Sequence, residues 1–155
     1  MTTSQFVRIW RHLAQQPDHS SRLHYNRFQL LSSQNPLLFR QIFDSGLGVS
    51  LFSELIEALY WSSDQLFSSE LFKDGVASLP RKEVFLIIYN ILLAIVQSKQ
   101  VSIALDCLTL SESELLRKLF HVLSTSLSKD PELKSFTEIA CKISLDELQT
   151  KFTKV

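Results

Sequence analysis

Val84-Phe85-Leu86-Ile87-Ile88-Tyr89-Asn90-Ile91-Leu92-Leu93-Ala94-Ile95-Val96 contains a single fully polar side chain, Asn90. As a helix at about 1.5 Å per residue, the run is roughly 20 Å long, short of the ~30 Å hydrocarbon core of a bilayer. A membrane span is therefore not expected. A helix that is apolar nearly all round has to be enclosed by other helices, so the rest of the chain must supply a shell around it. The run is expected to be the buried central helix of one compact domain.

The chain has 155 residues, 45% of them hydrophobic, enough to bury a sizeable core in a single domain. Its 16 basic and 16 acidic residues cancel. No global field therefore draws nucleic acid or an anionic membrane, and partner binding must come from shape and local patches. Arg22, Arg27 and Arg40 alternate with Tyr25 and Phe28, as a nucleic-acid stacking surface would, but the balanced charge favours an ordinary surface. Cys107 and Cys141 lack CxxC or Cys/His spacing and fall on apolar helical faces, which fits reduced, buried thiols. Met1 to Gln5 lack the basic and apolar regions of a secretory signal, so a cytoplasmic protein is expected.

Helical periodicity recurs along the whole chain. Phe6, Ile9, Trp10 and Leu13 form one stripe, with Pro17 as a stop. Residues 20–31 hold a looser helical pattern through Leu23, Phe28, Leu30 and Leu31. Asn35-Pro36 reads as an N-cap and a proline at the first helical position, before Leu38, Phe39, Ile42 and Phe43 and a terminating Gly46. After Gly48, the residues Leu51, Phe52, Leu55, Ile56, Leu59 and Tyr60 give the clearest amphipathic stripe.

Residues 62–79 are richer in Ser, Asp and Gly and read as an insert, with a short helix on Leu66, Phe67, Leu71 and Phe72 before a Lys73-Asp74-Gly75 turn. Ser78, Pro80 and Glu83 open the central helix, which should run to about Ser98. A short link, Lys99-Gln100, leads to a helix carrying Val101, Ala104, Leu105 and Leu108. Ser111 with Glu114 fits a capping box ahead of Leu115, Leu116, Leu119, Phe120 and Leu123. Asp130-Pro131 caps a further helix through Leu133, Phe136, Ile139, Ala140 and Ile143, and Ser144 with Glu147 repeats the box.

Sustained alternation and two-residue hairpin turns are missing, and three glycines leave little turn chemistry for a sheet. The expected fold is all-α. Successive helix pairs on short links suggest a single compact right-handed stack, armadillo- or HEAT-like, although no fixed repeat is visible.

Motifs for catalysis are scarce. Gly46, Gly48 and Gly75 form neither GxGxxG nor a P-loop, and His12, His19, His24 and His121 include no HExxH. No cofactor or metal is therefore expected. A Cys107 nucleophile with His121 as base is conceivable across two helices, but nothing in the spacing favours it over packing. Glu54 and Glu57 read as a solvated face, and Glu112 with Glu114 as a cap.

Several segments, taken in order, resemble one known domain. They are Phe6-x-x-x-Trp10-x-x-Leu13 with Pro17, Pro36-Leu37-Leu38-Phe39-Arg40, and Leu51-Phe52-x-x-Leu55-Ile56-x-x-Leu59, followed by Ile91-Leu92-x-x-Ile95, Ser111-x-x-Glu114 and Leu116-x-x-Leu119-Phe120. The set is similar to the C-terminal helical domain of the RNA polymerase II-associated protein 3 family, found also in sperm-associated antigen 1 and coiled-coil domain-containing protein 103. On that resemblance the family-like core covers 5–127 of one helical domain over 1–155, with 62–79 as an insert and 130–155 as additional C-terminal helices.

The resemblance implies a non-enzymatic adaptor that docks on a RuvB-like AAA+ ATPase and joins it to heat-shock co-chaperone or client proteins, in some members during dynein arm assembly. The surface implied for docking is Lys99, Gln100, Val101, Ile103 and Ala104, unless Val101 and Ala104 pack inward. Where the family commonly has Arg-Phe-Asp, this chain has Gln100-Val101-Ser102, and glutamine does not reproduce the charged fork of arginine. The other reading is a helical scaffold that binds an amphipathic helix, or its own copy, in an exposed groove near Trp10, Phe39 and Phe43.

Overall fold

The computed structural model describes residues 1–15, 20–64 and 80–154. Nine helices lie among the described residues: α1 (Thr3–Ala14), α2 (Ser20–Ser32), α3 (Leu37–Asp44), α4 (Gly48–Asp64), α5 (Arg81–Val96), α6 (Val101–Asp106), α7 (Leu110–Lys129), α8 (Pro131–Ala140) and α9 (Leu145–Lys154). No strand occurs among them. The fold is all-α. Pro17, the short helix expected near Leu66 to Phe72, the Lys73-Asp74-Gly75 turn and the Ser78 cap lie outside the described residues. Of the expected insert, residues 62–64 complete α4, where Ser62 and Ser63 are buried.

Local chemistry sets several helix ends. Thr2 caps α1 in a reciprocal box with Gln5, each side chain bonding the other residue's backbone N–H. Asn35 Oδ1 accepts from the Leu37 N–H at 3.0 Å, and Asp130 Oδ1 accepts from the Leu133 N–H at 3.2 Å with Pro131 following it. Gly46, at φ 87°, takes the left-handed turn after α3. Two residues on, a Cβ at Gly48 would sit 2.5 Å from the Phe43 ring, so glycine is what lets α4 start against α3.

The cap of α7 departs from the expected Ser111–Glu114 pair. Thr109 is the N-cap, and Glu112 returns to its N–H at 2.9 Å, while Glu114 pairs with Arg117. Thr-Leu-Ser-Glu-Ser-Glu contains two overlapping boxes. The upstream one lengthens the helix by two residues without disturbing its buried stripe of Leu116, Leu119, Phe120 and Leu123.

Neighbouring helices pack in pairs, α1 on α2, α3 on α4 and α7 on α8. Longer-range packing closes these pairs around a common core: α4 meets α2, α5, α6 and α7, and α5 meets α3, α8 and α9. One hydrophobic cluster runs from Phe6 to Phe152. Aromatic rings link its parts, with Phe6 edge-on to Phe39 at 5.4 Å, Phe43 edge-on to Phe52 at 5.3 Å, and Phe152 of α9 between Phe52 and Phe120.

Burial departs from expectation on α5 and on α8. α5 is a core helix through Val84, Phe85, Ile88, Ile91, Leu92 and Ile95, but it is not enclosed all round. Leu86, Asn90 and Leu93, at helical spacing, form a half-buried strip, and Asn90 faces an open groove shared with Leu37, Arg40 and Lys142. The amide thus sits where water reaches it, which removes the need for a buried partner. On α8, only Leu133 of the predicted stripe is buried; Ile139 is 90% exposed and Ala140 is exposed. α8 lies at the rim, packing chiefly on α5 and α7, so its far side has no helix to cover it.

Candidate functional site

The turn from α5 into α6 gathers the residues expected to bind a partner. The α5 ladder closes with the Gln97 N–H on the Leu93 carbonyl at 3.2 Å and the Ser98 N–H on that of Ile95 at 3.0 Å. The Lys99 N–H then donates to Asp44 Oδ1 at 2.7 Å, tying the link to the end of α3. In α6 the Ala104 N–H reaches the Gln100 carbonyl at 3.1 Å. The corner is therefore pinned by backbone bonds on both sides.

Helical geometry divides the five candidates. Val101 and Ala104, three residues apart on one face, are buried against the core, where α6 packs on α4. Ile103 points the other way and is 51% exposed, beside exposed Lys99 and half-buried Gln100. Lys99, Gln100 and Ile103 can touch a partner; Val101 and Ala104 support them from beneath. Six-residue α6 has room for one inward and one outward face.

The candidates for catalysis are scattered. Cys107 is exposed at the end of α6, contrary to the expected buried thiol, and His121 is exposed on α7. No described interaction joins Cys107 to His121. Cys141 is half-buried, and burial pushes its thiol above the usual range, which disfavours the thiolate. The Glu112 carboxyl is held below the usual range by the Thr109 N–H that it accepts, as a cap. Among the described residues, no group of three or more His, Cys, Asp or Glu could hold a metal ion, and no helix is long and apolar enough to cross a membrane.

Arg27, read from the sequence as a surface cation, is buried. Its guanidinium lies 4.3 Å from the centroid of the Trp10 ring, and Nη2 donates to Glu54 Oε1 at 3.1 Å. Close by, His24 stacks on Trp61 at 5.9 Å with Glu57 Oε1 3.6 Å from its Nε2. Burial holds His24 below its ordinary pKa, with Glu57 opposing and Arg27 reinforcing the shift. Glu54 and Glu57 are thus the partners of α2, in addition to being a polar face. Spacing within α2 gave no sign of this, because the companions of Arg27 are on α1 and α4.

Trp10, Phe39 and Phe43 are fully buried and so line no exposed groove, contrary to the expected one near them. Tyr89, inside the apolar run, has a role that periodicity could not reveal. Its hydroxyl donates to the Ile143 carbonyl at 2.7 Å and accepts from the Ile143 N–H at 3.1 Å, fastening the α8–α9 link to α5.

No curated protein sequence and no solved structure shows significant similarity to the chain. A family profile does: the one described as the potential Monad-binding region of RPAP3 matches residues 1–113. That stretch takes in α1 to α6, the corner at Lys99 to Ala104, and the first turn of α7. It ends short of the expected boundary at 127, yet α7, α8 and α9 add Phe120, Leu133, Leu148 and Phe152 to the same core. With most of its length covered, this chain belongs to the family of RPAP3 C-terminal regions.

Proposed function

We propose that the protein is a non-catalytic, cytoplasmic adaptor that docks on a partner protein through the α5–α6 corner. The observation that carries this reading is Ile103, an apolar side chain left 51% exposed on a helix whose other face is anchored by Val101 and Ala104. A rigidly presented aliphatic residue beside a lysine fits an interface anchor with a polar rim. The corner also falls within the family-matched residues.

Family membership supports two partners. Monad is what the matching region of RPAP3 is described as potentially binding, and the sequence resemblance points to a RuvB-like AAA+ ATPase, with co-chaperone or client proteins brought alongside and dynein arm assembly as one setting. With Gln100 in place of the family's arginine, docking would rest on Ile103 and the Lys99 ammonium. The test is size-exclusion chromatography of the purified chain with a RuvB-like ATPase complex, and separately with Monad, at micromolar concentration. Co-elution with either supports the adaptor reading; elution apart from both overturns it.

A further inference from the structure

α1 carries an outer groove with no role in the corner described above. Val7 and Leu47 are its apolar lining, the former buried and the latter 36% exposed in the turn between α3 and α4. Ser4, Arg8, Arg11 and His12 line it along one side of α1, around a volume of about 430 Å³. No acidic side chain among the described residues lines it. Among the described residues, neither Arg8 nor Arg11 has an ion-pair partner, whereas Arg27, Arg40, Arg81 and Arg117 each have a carboxylate within 4.0 Å.

The neutrality of the whole chain hides this local imbalance. From Met1 to Phe43 there are five arginines and one acidic residue, Asp18. We infer that the α1 groove docks an acidic amphipathic segment of a partner protein, its carboxylates meeting Arg8 and Arg11 and an aliphatic side chain resting on Val7 and Leu47. Complementary charge around a small apolar floor is the recognition chemistry of such a segment. Nucleic acid fits less well, because no aromatic ring among the described residues lines the groove to stack a base.

A fluorescein-labelled synthetic helix with Glu and Leu at i, i+4 spacing, titrated with the full chain and followed by anisotropy, tests this. The Glu/Leu peptide should bind at micromolar concentration and weaken as salt rises. A version with Gln for Glu should bind about tenfold less tightly or worse. Arg8→Glu/Arg11→Glu should cost about tenfold or more, as should the milder Arg8→Gln/Arg11→Gln if the first variant loses helical circular dichroism. Ile103→Asp should leave this binding unchanged, which separates it from the corner. Equal binding of the Glu and Gln peptides, unchanged binding by the folded arginine variants, or tighter binding of a single-stranded oligonucleotide would overturn the inference.

Discussion

α4 and α8 announce themselves in the same way, by apolar residues at three- and four-residue spacing, yet they meet different surroundings. In α4 the residues Leu51, Phe52, Leu55, Ile56 and Leu59 are all buried, because α2, α3, α5, α6 and α7 surround the helix. α8 packs chiefly on α5 and α7, and Ile139 from its stripe stands in solvent. Periodicity states which side chains share a face; the depth of that face depends on how many other elements converge on it. The same distinction separates the two faces of α6, whose Val101 and Ala104 are buried while Ile103 faces water.

Substitutions can break this contrast. Leu55→Ala should cost the most, about 2–5 kcal/mol, since it opens a cavity in the middle of the core. Chemical denaturation should show the loss as a lower midpoint at unchanged slope. An effect under about 1 kcal/mol would mean that α4 is not as enclosed as its neighbours imply. Tyr89→Phe should cost about 1–3 kcal/mol, because the Ile143 N–H and carbonyl both lose their partner. Hydrogen exchange should speed up around the α8–α9 link and leave α4 protected.

Acid should loosen the α2–α4 contact. His24 is held below its usual 6.5, chiefly by burial, so the folded chain takes up this proton less readily than the unfolded one. Its contribution is complete above pH 6.5 and is lost as the pH falls below that value toward the lowered folded pKa. Thermal melts at about pH 7.5 and about pH 5.5 should differ for the wild type, and His24→Phe should narrow the gap. A gap of the same size in the variant would assign the pH dependence to other groups. Smallest of all, Ile139→Asp should change stability by no more than about 0.5 kcal/mol, as an exposed rim position does.

Much of the fold was legible in the sequence because it follows from local rules. Asn35-Pro36, Gly46 and Asp130-Pro131 mark helix ends by chemistry that needs no tertiary partner. The sequence leaves the cap of α7 ambiguous by two residues, since Thr109 and Ser111 both head a Ser/Thr-x-x-Glu pattern and only the folded register decides between them. Arg27 looked like a surface cation because Trp10 and Glu54, which enclose it, are 17 and 27 residues away along the chain. The α5–α6 corner could be read from the end of the apolar run and the short Lys99-Gln100 link. Whether Val101 and Ala104 turn inward or outward stayed open, because a six-residue helix is too short for its period to declare a face.

Ile103 and Ile139 offer the most direct test of the adaptor account, as both are exposed isoleucines on helices and differ in whether they belong to the corner. Affinity for the purified RuvB-like ATPase complex and for Monad should be measured for the wild type, Ile103→Asp and Ile139→Asp, with helical circular dichroism recorded for each. The account predicts that Ile103→Asp weakens binding to the engaged partner by about tenfold or more, ~1.4 kcal/mol, with its helical signal intact, while Ile139→Asp binds as the wild type does. Equal affinity for all three folded proteins would contradict it.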